Sequence, residues 1–175
     1  MAAAAHVASG EQYFPLATQR SDGWHRDGRA TATCYCGTIQ LSFPVDGPGL
    51  VGTFVCNCSD CHKFHASMFA SNFTIDDKYL VHERGRDNLS VYAQNKTIES
   101  GKTMSNYFCK TCGTLMYRVG EDFPGLSILR IGTVDDFTLM ETKLKPKLEQ
   151  YTKDRTSWFT GVEGARQTEG DGLRS

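Results

Sequence analysis

The sequence contains no apolar run of the length that a transmembrane helix requires. A helix that crosses a bilayer needs about 20 consecutive apolar residues, and polar or charged residues interrupt every hydrophobic stretch of this chain much earlier. Residues 1–10 have neither a positively charged start nor a long hydrophobic segment, and the C-terminal residues match no address or lipidation motif. We therefore expect no secretory signal and no membrane partner.

An excess of positive charge is also missing. The 175 residues carry 19 Lys and Arg against 20 Asp and Glu, which gives a net charge of −1. A dedicated nucleic-acid-binding protein usually has a strongly basic face, so we expect no nucleic-acid partner. The chain is long enough for one domain with a substantial core, and its sequence leaves the oligomeric state open.

Helical periodicity is scarce. Ile39, Leu41 and Phe43 alternate with polar residues, which is typical of a half-buried strand. Several more short apolar runs follow, separated by turns rich in Gly, Pro and Asp. This pattern predicts a mainly β fold of short antiparallel strands with few short helices. Pro146 lies within the run at residues 143–151, which we therefore expect to be at best an edge strand.

The pattern of apolar residues also divides the chain into three segments. Residues 1–28 have a weak apolar pattern broken by Gly and Pro, and we expect them to form an N-terminal arm. Residues 29–160 carry the strand pattern and the cysteines, so we expect one zinc-binding domain there. Residues 161–175 are rich in Gly, Glu and other polar residues, which predicts a flexible C-terminal tail.

Cysteine, by contrast, is abundant and clustered. The seven cysteines fall into three tight groups: Cys34 with Cys36, Cys56 with Cys58 and Cys61, and Cys109 with Cys112. An odd number of cysteines in tight groups, without a secretory signal, is typical of metal ligands in a reducing compartment. A disulfide within the first pair would also close a strained ring. We therefore predict soft-metal sites, with zinc as the metal, and a cytoplasmic location.

The two outer pairs predict one closed metal site. Cys34 and Cys36 lie at the turn of a predicted hairpin, and Cys109 and Cys112 form an aromatic-C-x-x-C-Gly turn that is typical of a zinc knuckle. Four thiolates would complete a tetrahedral zinc and join two distant hairpins. We interpret this site as structural, with an iron site of the rubredoxin type as the alternative.

The middle group predicts an open metal site. Cys56, Cys58 and Cys61 supply three ligands, and zinc with three protein ligands and a free fourth position is typical of catalysis. The alternative is a closed, purely structural site in which His65, one helical turn after Cys61, is the fourth ligand. His62, directly beside Cys61, is badly placed to share the same metal.

The ligand set narrows the chemistry of the middle site. Three thiolates donate much electron density, so zinc held by them would be a poor activator of water. Such a site is better suited to bind a substrate thiolate as nucleophile or leaving group. The resulting negative charge favours a nearby cation, for which Lys63 is the first candidate and Arg118 the second. The ordinary interpretation of each is a solvated surface charge.

Three motifs carry a family resemblance. C-x-C-G at Cys34, C-x-C-x-x-C at Cys56 and F-C-x-x-C-G at Phe108 resemble, in this order, the glutathione-dependent formaldehyde-activating enzyme family, which includes centromere protein V. The resemblance covers residues 29–158. It implies an Mss4-like, β-tent fold, a structural zinc on the outer four cysteines and a catalytic zinc on the middle three. The implied activity is that of a carbon–sulfur lyase that makes and cleaves S-(hydroxymethyl)glutathione, the adduct of glutathione and formaldehyde.

These observations predict a zinc-dependent carbon–sulfur lyase with a small-molecule substrate, a glutathione adduct of formaldehyde or of a related carbonyl compound. We expect two zinc ions per chain and four catalytic residues: Cys56, Cys58, Cys61 and Lys63. The chain departs from the family pattern at His62-Lys63, where an Arg or Gln and a basic residue are usual, and at Glu149, where many members have His. The alternatives are a related zinc lyase, dehydratase or isomerase acting on a pathway metabolite, and a non-catalytic zinc module that binds a protein partner.

Overall fold

Two β-sheets form the body of the protein in the computed structural model, which describes residues 2–173. The strands are β1 (His25–Arg26), β2 (Arg29–Thr33), β3 (Gln40–Pro44), β4 (Leu50–Cys56), β5 (Ala70–Asp76), β6 (Val81–Arg84), β7 (Leu89–Gln94), β8 (Met104–Cys109), β9 (Leu115–Gly120), β10 (Leu126–Arg130), β11 (Leu148–Gln150) and β12 (Arg166–Gln167). The α-helices are α1 (Ala2–Ser9), α2 (Ser59–His65) and α3 (Thr138–Glu141). The mainly β fold with few short helices is confirmed.

The smaller sheet has the strand order β1-β2-β3-β6, and all its pairs are antiparallel. Ile39, Leu41 and Phe43 are fully buried, as their alternation predicts. Gln40 is buried as well, because the N-terminal arm covers the other face of the sheet, and its side-chain amide donates a hydrogen bond to the carbonyl of Asp22. The smaller sheet is therefore buried on both faces around β3.

The larger sheet has the order β12-β11-β4-β5-β10-β9-β8-β7. Most pairs are antiparallel, but β11 is parallel to both β4 and β12. The expectation of an edge strand around Pro146 is wrong, since β11 begins at Leu148 and lies between two neighbours. Proline lacks the N–H that a ladder needs, and here Pro146 precedes the strand, so it interrupts no pairing.

The buried side chains form two clusters. The larger one lies between the sheets, where the rings of Phe43 and Phe73 have centroids 4.6 Å apart. The smaller one contains two of the middle cysteines and their apolar neighbours: Phe54, Cys56, Cys61, Ala70, Ile128 and Leu148. The middle cysteine group is therefore set into its own apolar surroundings, away from the centre of the domain.

A buried carboxylate is one of the groups that attach the N-terminal arm to the body. Asp136 is fully buried, and its Oδ2 lies 2.6 Å from Nδ1 of His25. Its Oδ1 accepts a hydrogen bond of 3.3 Å from the backbone N–H of Tyr13. The weak apolar pattern of the arm did not predict helix α1, which packs through His6 on the ring of Tyr13, with centroids 4.7 Å apart.

The C-terminal residues also contact the body. Strand β12 pairs with β11, and the backbone N–H of Gly172 donates to Oε1 of Gln150 over 3.1 Å. The division into an arm, a domain and a flexible tail stays a prediction. Strand β12, which belongs to the predicted tail, is part of the larger sheet. None of the helices within residues 2–173 has the length and apolar character that crossing a membrane would require.

Candidate functional site

The four outer cysteines meet where the two sheets approach each other. Their sulfurs all lie within 4.8 Å of one another. Sγ of Cys36 is 3.5 Å from that of Cys34 and 3.7 Å from that of Cys109. Four sulfurs held about 2.3 Å from a tetrahedral metal would be about 3.8 Å apart, so the donor set fits a single ion. Cys112, in the β8–β9 turn, completes the group.

Neighbouring donors point at these sulfurs. The backbone N–H of Ile39 donates to Sγ of Cys34 over 3.2 Å, and the side-chain amide of Asn88 donates to Sγ of Cys109 over 3.3 Å. Gly37 and Gly113, which end the two cysteine turns, both have φ of 75°, a conformation that glycine adopts without steric cost. The hydrogen bonds from Ile39 and Asn88 offset the negative charge of a thiolate cluster and orient the metal ligands.

The three middle cysteines converge at the junction of β4 and α2. Cys56 is the last residue of β4, and Cys58 is the extended N-cap of α2, with φ of −64° and ψ of 156°. Sγ of Cys56 and Sγ of Cys58 are 3.4 Å apart, and Cys61 completes a group whose sulfurs lie within 4.8 Å. The strand end and the first helical turn thus bring three soft donors to one point.

Neither candidate histidine joins this group. Nδ1 of His65 lies 2.8 Å from the carbonyl oxygen of Cys61, so the ring is directed back along its own helix. Among the described residues, the cluster of possible metal ligands contains Cys56, Cys58 and Cys61 alone. The donor set fits a soft metal that retains a position for a further ligand.

Two arginines lie beneath the middle cysteines. Arg118 pairs with Ile128 across β9 and β10, and Arg130 lies two residues beyond Ile128 on the same face of the sheet. Nη1 of Arg118 lies 3.9 Å from Sγ of Cys61. Arg130 is buried, and its Nη1 donates to the side-chain oxygen of Asn72. Two guanidinium groups therefore face the thiols from the sheet.

The charges of these groups influence one another. Hydrogen bonds from the thiols of Cys56 and Cys58 hold the pKa of Cys61 well below its usual range, and the charges of Arg118 and Arg130 lower it further against the effect of burial. Burial alone would lower the pKa of Arg118, but the nearby cysteines outweigh it and raise this pKa. The contact between Cys61 and Arg118 therefore favours a thiolate and a guanidinium together, whereas burial and the charge of Arg118 lower the pKa of Arg130 to about 9.

Lys63 lies outside the cleft above the middle cysteines. Its side chain is exposed, and it lines a shallow surface depression with Phe64 and Tyr92. Lys63 does not line the cleft above the thiols, whereas Arg118 does. A catalytic role for Lys63 stays a prediction. The cations that the described structure brings to the thiols are Arg118, the second candidate, and Arg130, which the sequence did not predict.

A cleft of about 240 Å³ opens onto Cys56 and Cys58. Tyr151 lines it beside the thiols and has a left-handed backbone with φ of 56°. Such a conformation is uncommon for a residue other than glycine and is enriched at functional sites. The phenol of Tyr151 donates to Oε2 of Glu99 over 3.3 Å. No local motif in the sequence marks either Tyr151 or Glu99.

A buried carboxylate holds the linker between the first two thiols. Asn57 lies between Cys56 and Cys58, and its side-chain amide donates to Oε1 of Glu149 over 3.0 Å. Nη1 of Arg155 donates to the same oxygen over 3.1 Å, and Glu149 is fully buried. Glu149, noted above as a departure from the family pattern, thus supports the metal-binding loop rather than the cleft.

Comparisons with known proteins agree with the cysteine pattern. A family model described as "Glutathione-dependent formaldehyde-activating enzyme" matches residues 29–154, well over half of the chain. No curated protein matches. A crystal structure of a Rhodobacter sphaeroides protein matches with 20% identity and a TM-score of 0.44, covering 59% of this chain and 85% of that chain.

The family match covers all seven cysteines and both possible metal sites. The family has an Mss4-like fold, which confirms the mainly β, Mss4-like architecture that was predicted. The chain belongs to the glutathione-dependent formaldehyde-activating enzyme family.

Proposed function

We propose that this protein is a zinc-dependent carbon–sulfur lyase that acts on the adduct of a thiol, glutathione or another, with formaldehyde or a related carbonyl compound. One observation carries the proposal: the sulfurs of Cys56, Cys58 and Cys61 lie within 4.8 Å of one another at a cleft of about 240 Å³. Family membership supports a glutathione-related role in formaldehyde activation. The cysteines have no disulfide partners, as suits a cytoplasmic location.

We assign a structural zinc to Cys34, Cys36, Cys109 and Cys112, and a catalytic zinc to Cys56, Cys58 and Cys61. At the second site zinc would hold the sulfur of the incoming thiol as a thiolate at neutral pH. The reaction forms a bond between this sulfur and the carbonyl carbon, while the thiol proton ends on the carbonyl oxygen. The reverse reaction breaks the carbon–sulfur bond and returns the proton to sulfur.

The protein's own residues have three roles in this proposal. Arg118 and Arg130 balance the negative charge that a fourth thiolate would add, which makes its binding less costly. Glu149 and Asn57 hold the loop that presents Cys56 and Cys58. The cleft confines the adduct and positions its carbon near the sulfur, which lowers the entropic cost of the reaction.

The test measures exchange between free formaldehyde and its glutathione adduct by NMR with isotope-labelled formaldehyde, since this adduct also forms without an enzyme. We expect zinc-loaded protein to accelerate the exchange and Cys58→Ser to abolish the acceleration, while the circular dichroism spectrum stays that of the wild type. Equal exchange rates with wild type and Cys58→Ser would refute the assignment of the middle site.

The same assay separates the alternative functions. A related zinc lyase, dehydratase or isomerase would convert carbonyl metabolites in a screen without added thiol. A non-catalytic module that binds a protein partner would show neither acceleration nor affinity for any thiol. Acceleration that requires a thiol supports the proposed function over both alternatives.

A further inference from the structure

The side chain of Tyr151 reaches the cleft through an unusual backbone conformation. Gln150, the last residue of β11, lies opposite Cys56 in the parallel pair of β11 and β4, so these two side chains share one face of the sheet. In a regular strand the next side chain would point to the other face. Tyr151 instead has a φ of 56° and lines the same cleft as Gln150. The left-handed turn therefore brings the phenol to the side on which the thiols lie.

Two backbone hydrogen bonds hold this turn. The N–H of Tyr151 donates to the carbonyl of Gly170 over 3.1 Å, and the carbonyl of Tyr151 accepts from the N–H of Asp154 over 3.0 Å. A left-handed conformation is costly for a bulky residue, persists only where its surroundings hold it, and is enriched at active sites. Here its effect is to direct one aromatic ring to the cleft.

The ring of Tyr151 lies beside the middle cysteines. It packs against the apolar cluster that contains Cys56 and Cys61, as Cys58 does. Its hydroxyl donates to Oε2 of the exposed Glu99 over 3.3 Å, which is longer than the usual O–H···O distance of about 2.5–3.0 Å. Such a weak hydrogen bond to an exposed carboxylate can be exchanged for one to a bound ligand at little cost.

The other hydroxyl groups of the cleft are less suited to meet a ligand at the thiols. The side chains of Thr97 and Ser100 each donate to a carboxylate, the first over 2.6 Å, and Ser59 is exposed at the start of α2. Among the described residues that line the cleft, Tyr151 is the one whose hydroxyl belongs to a side chain packed against the cysteine cluster.

The reaction needs a hydrogen-bond donor at this place. When a thiolate adds to a carbonyl carbon, negative charge develops on the carbonyl oxygen. A donor that is already positioned where this charge develops lowers the barrier, because it needs no reorganisation during the reaction. A phenol held at the wall of the cleft beside the thiols meets this requirement.

We propose that Tyr151 is a further catalytic residue, whose hydroxyl leaves Glu99 and donates a hydrogen bond to the oxygen of the carbonyl compound or its adduct. The inference rests on the proposed function, because it assumes that a thiol bound at Cys56, Cys58 and Cys61 reacts with a carbonyl carbon in this cleft.

The phenol is unchanged at the end of the reaction. In the forward direction the thiolate sulfur forms its bond to carbon, and the electron pair of the C=O bond moves to the oxygen that Tyr151 contacts. The proton that left the thiol has passed to water, and water returns one proton to this oxygen. In the reverse direction the oxygen loses that proton, the C=O bond forms again, and the bonding pair leaves with the sulfur.

The experiment uses zinc-loaded, full-length protein with Tyr151→Phe, which keeps the ring and removes the hydroxyl. Exchange between isotope-labelled formaldehyde and its glutathione adduct is followed by NMR at several glutathione concentrations. We expect the maximal acceleration to fall about 100-fold, the usual loss for one donor of this kind. The glutathione concentration for half-maximal acceleration should stay within about twofold, since the lost interaction is made only in the transition state.

Two further measurements distinguish a catalytic role from a structural one. Glutathione binding to cobalt-substituted protein, measured by absorption without turnover, should be equal in wild type and Tyr151→Phe, because the phenol contacts the oxygen rather than the sulfur. The melting temperature should also be unchanged, since the ring remains packed. The matched control is Tyr92→Phe, which removes the hydroxyl of an exposed tyrosine outside the cleft and should leave the acceleration unchanged.

Three outcomes would overturn the inference. If Tyr151→Phe accelerates exchange as wild type does, the phenol is not the donor, and the proposed function stands. If glutathione binding to the cobalt protein falls as much as the acceleration does, Tyr151 positions the thiol instead of the oxygen. If the wild type itself gives no acceleration, the proposed function fails together with the inference.

Discussion

Nη1 of Arg118 lies 3.9 Å from Sγ of Cys61, although 56 residues separate them in the sequence. The contact exists because β9 lies beside β10 in the larger sheet and α2 covers the face on which Arg118 lies. Arg130 lies on the same face one strand away, and its Nε and Nη2 have no hydrogen-bond partner within residues 2–173. Burial and the charge of Arg118 lower the pKa of Arg130 to about 9, and the nearby thiols of Cys61 and Cys56 act in the opposite direction and favour its charged form.

The first prediction concerns the contact between Arg118 and the thiol of Cys61. Arg118→Met keeps the length of the side chain and removes its charge, so we expect zinc affinity at the middle site, or turnover, to fall about 10–100-fold, as is usual for residues that support metal ligands. Competition with a chromogenic chelator measures the affinity. Lys63→Met is the matched control, because Lys63 lies outside the cleft. Equal losses in both variants would contradict the assignment of Arg118.

The second prediction separates the two cysteine groups by their effect on folding. The outer group joins the β2–β3 turn of one sheet to the β8–β9 turn of the other. Cys36→Ser should therefore lower the melting temperature strongly and release one zinc per chain, because metal binding at a closed site contributes to folding. Cys58→Ser should release one zinc with a much smaller shift. Thermal unfolding followed by circular dichroism, with elemental analysis of zinc, distinguishes the two.

The third prediction concerns metal exchange. The outer thiols are surrounded by hydrogen-bond donors at the junction of two sheets, whereas Cys58 opens onto the cleft. We expect freshly purified protein to contain about two zinc ions per chain and to lose one of them on mild chelation. Elemental mass spectrometry before and after chelation gives both values. Two ions that both resist chelation would indicate a closed middle site.

Much of the candidate site was predictable because metal ligands impose short, recognisable spacings. The C-x-C, C-x-C-x-x-C and C-x-x-C motifs identified both groups that the structure assembles. The hairpin around the first pair was predictable too, since Ile39, Leu41 and Phe43 alternate along a strand that is buried in the core.

The cations of the site were harder to predict. Lys63 is two residues from Cys61, and two residues correspond to about 200° around a helix, so the two side chains leave α2 in different directions. Arg118 and Arg130 are distant in sequence, and their place depends on the register of β9 and β10. Arg130 follows Ile128 by two residues on the same face of a buried strand, and a charged residue at this position of an apolar run was the signal that could have identified a cation in the core.

The last prediction concerns Glu149, which holds the loop between the first two thiols. Its carboxylate accepts hydrogen bonds from Asn57 and Arg155 over 3.0 and 3.1 Å, and from the backbone N–H of Val162 over 3.2 Å. Glu149→Gln leaves the guanidinium of Arg155 without its buried counter-charge. We expect a loss of about 3 kcal/mol in the free energy of unfolding, measured by urea denaturation.

The same variant should weaken zinc binding at the middle site. A glutamine amide has one acceptor oxygen in place of two, so the side chains of Asn57 and Arg155 and the backbone N–H of Val162 can no longer all be paired, and the loop that orients Cys56 and Cys58 is held less firmly. Glu163→Gln is the control, since Glu163 is exposed in the neighbouring loop. A Glu149→Gln protein with normal stability but weakened zinc binding would mean that Glu149 acts on the metal site alone. Normal values of both would mean that the loop keeps its shape without this carboxylate, which would contradict the role assigned to Glu149.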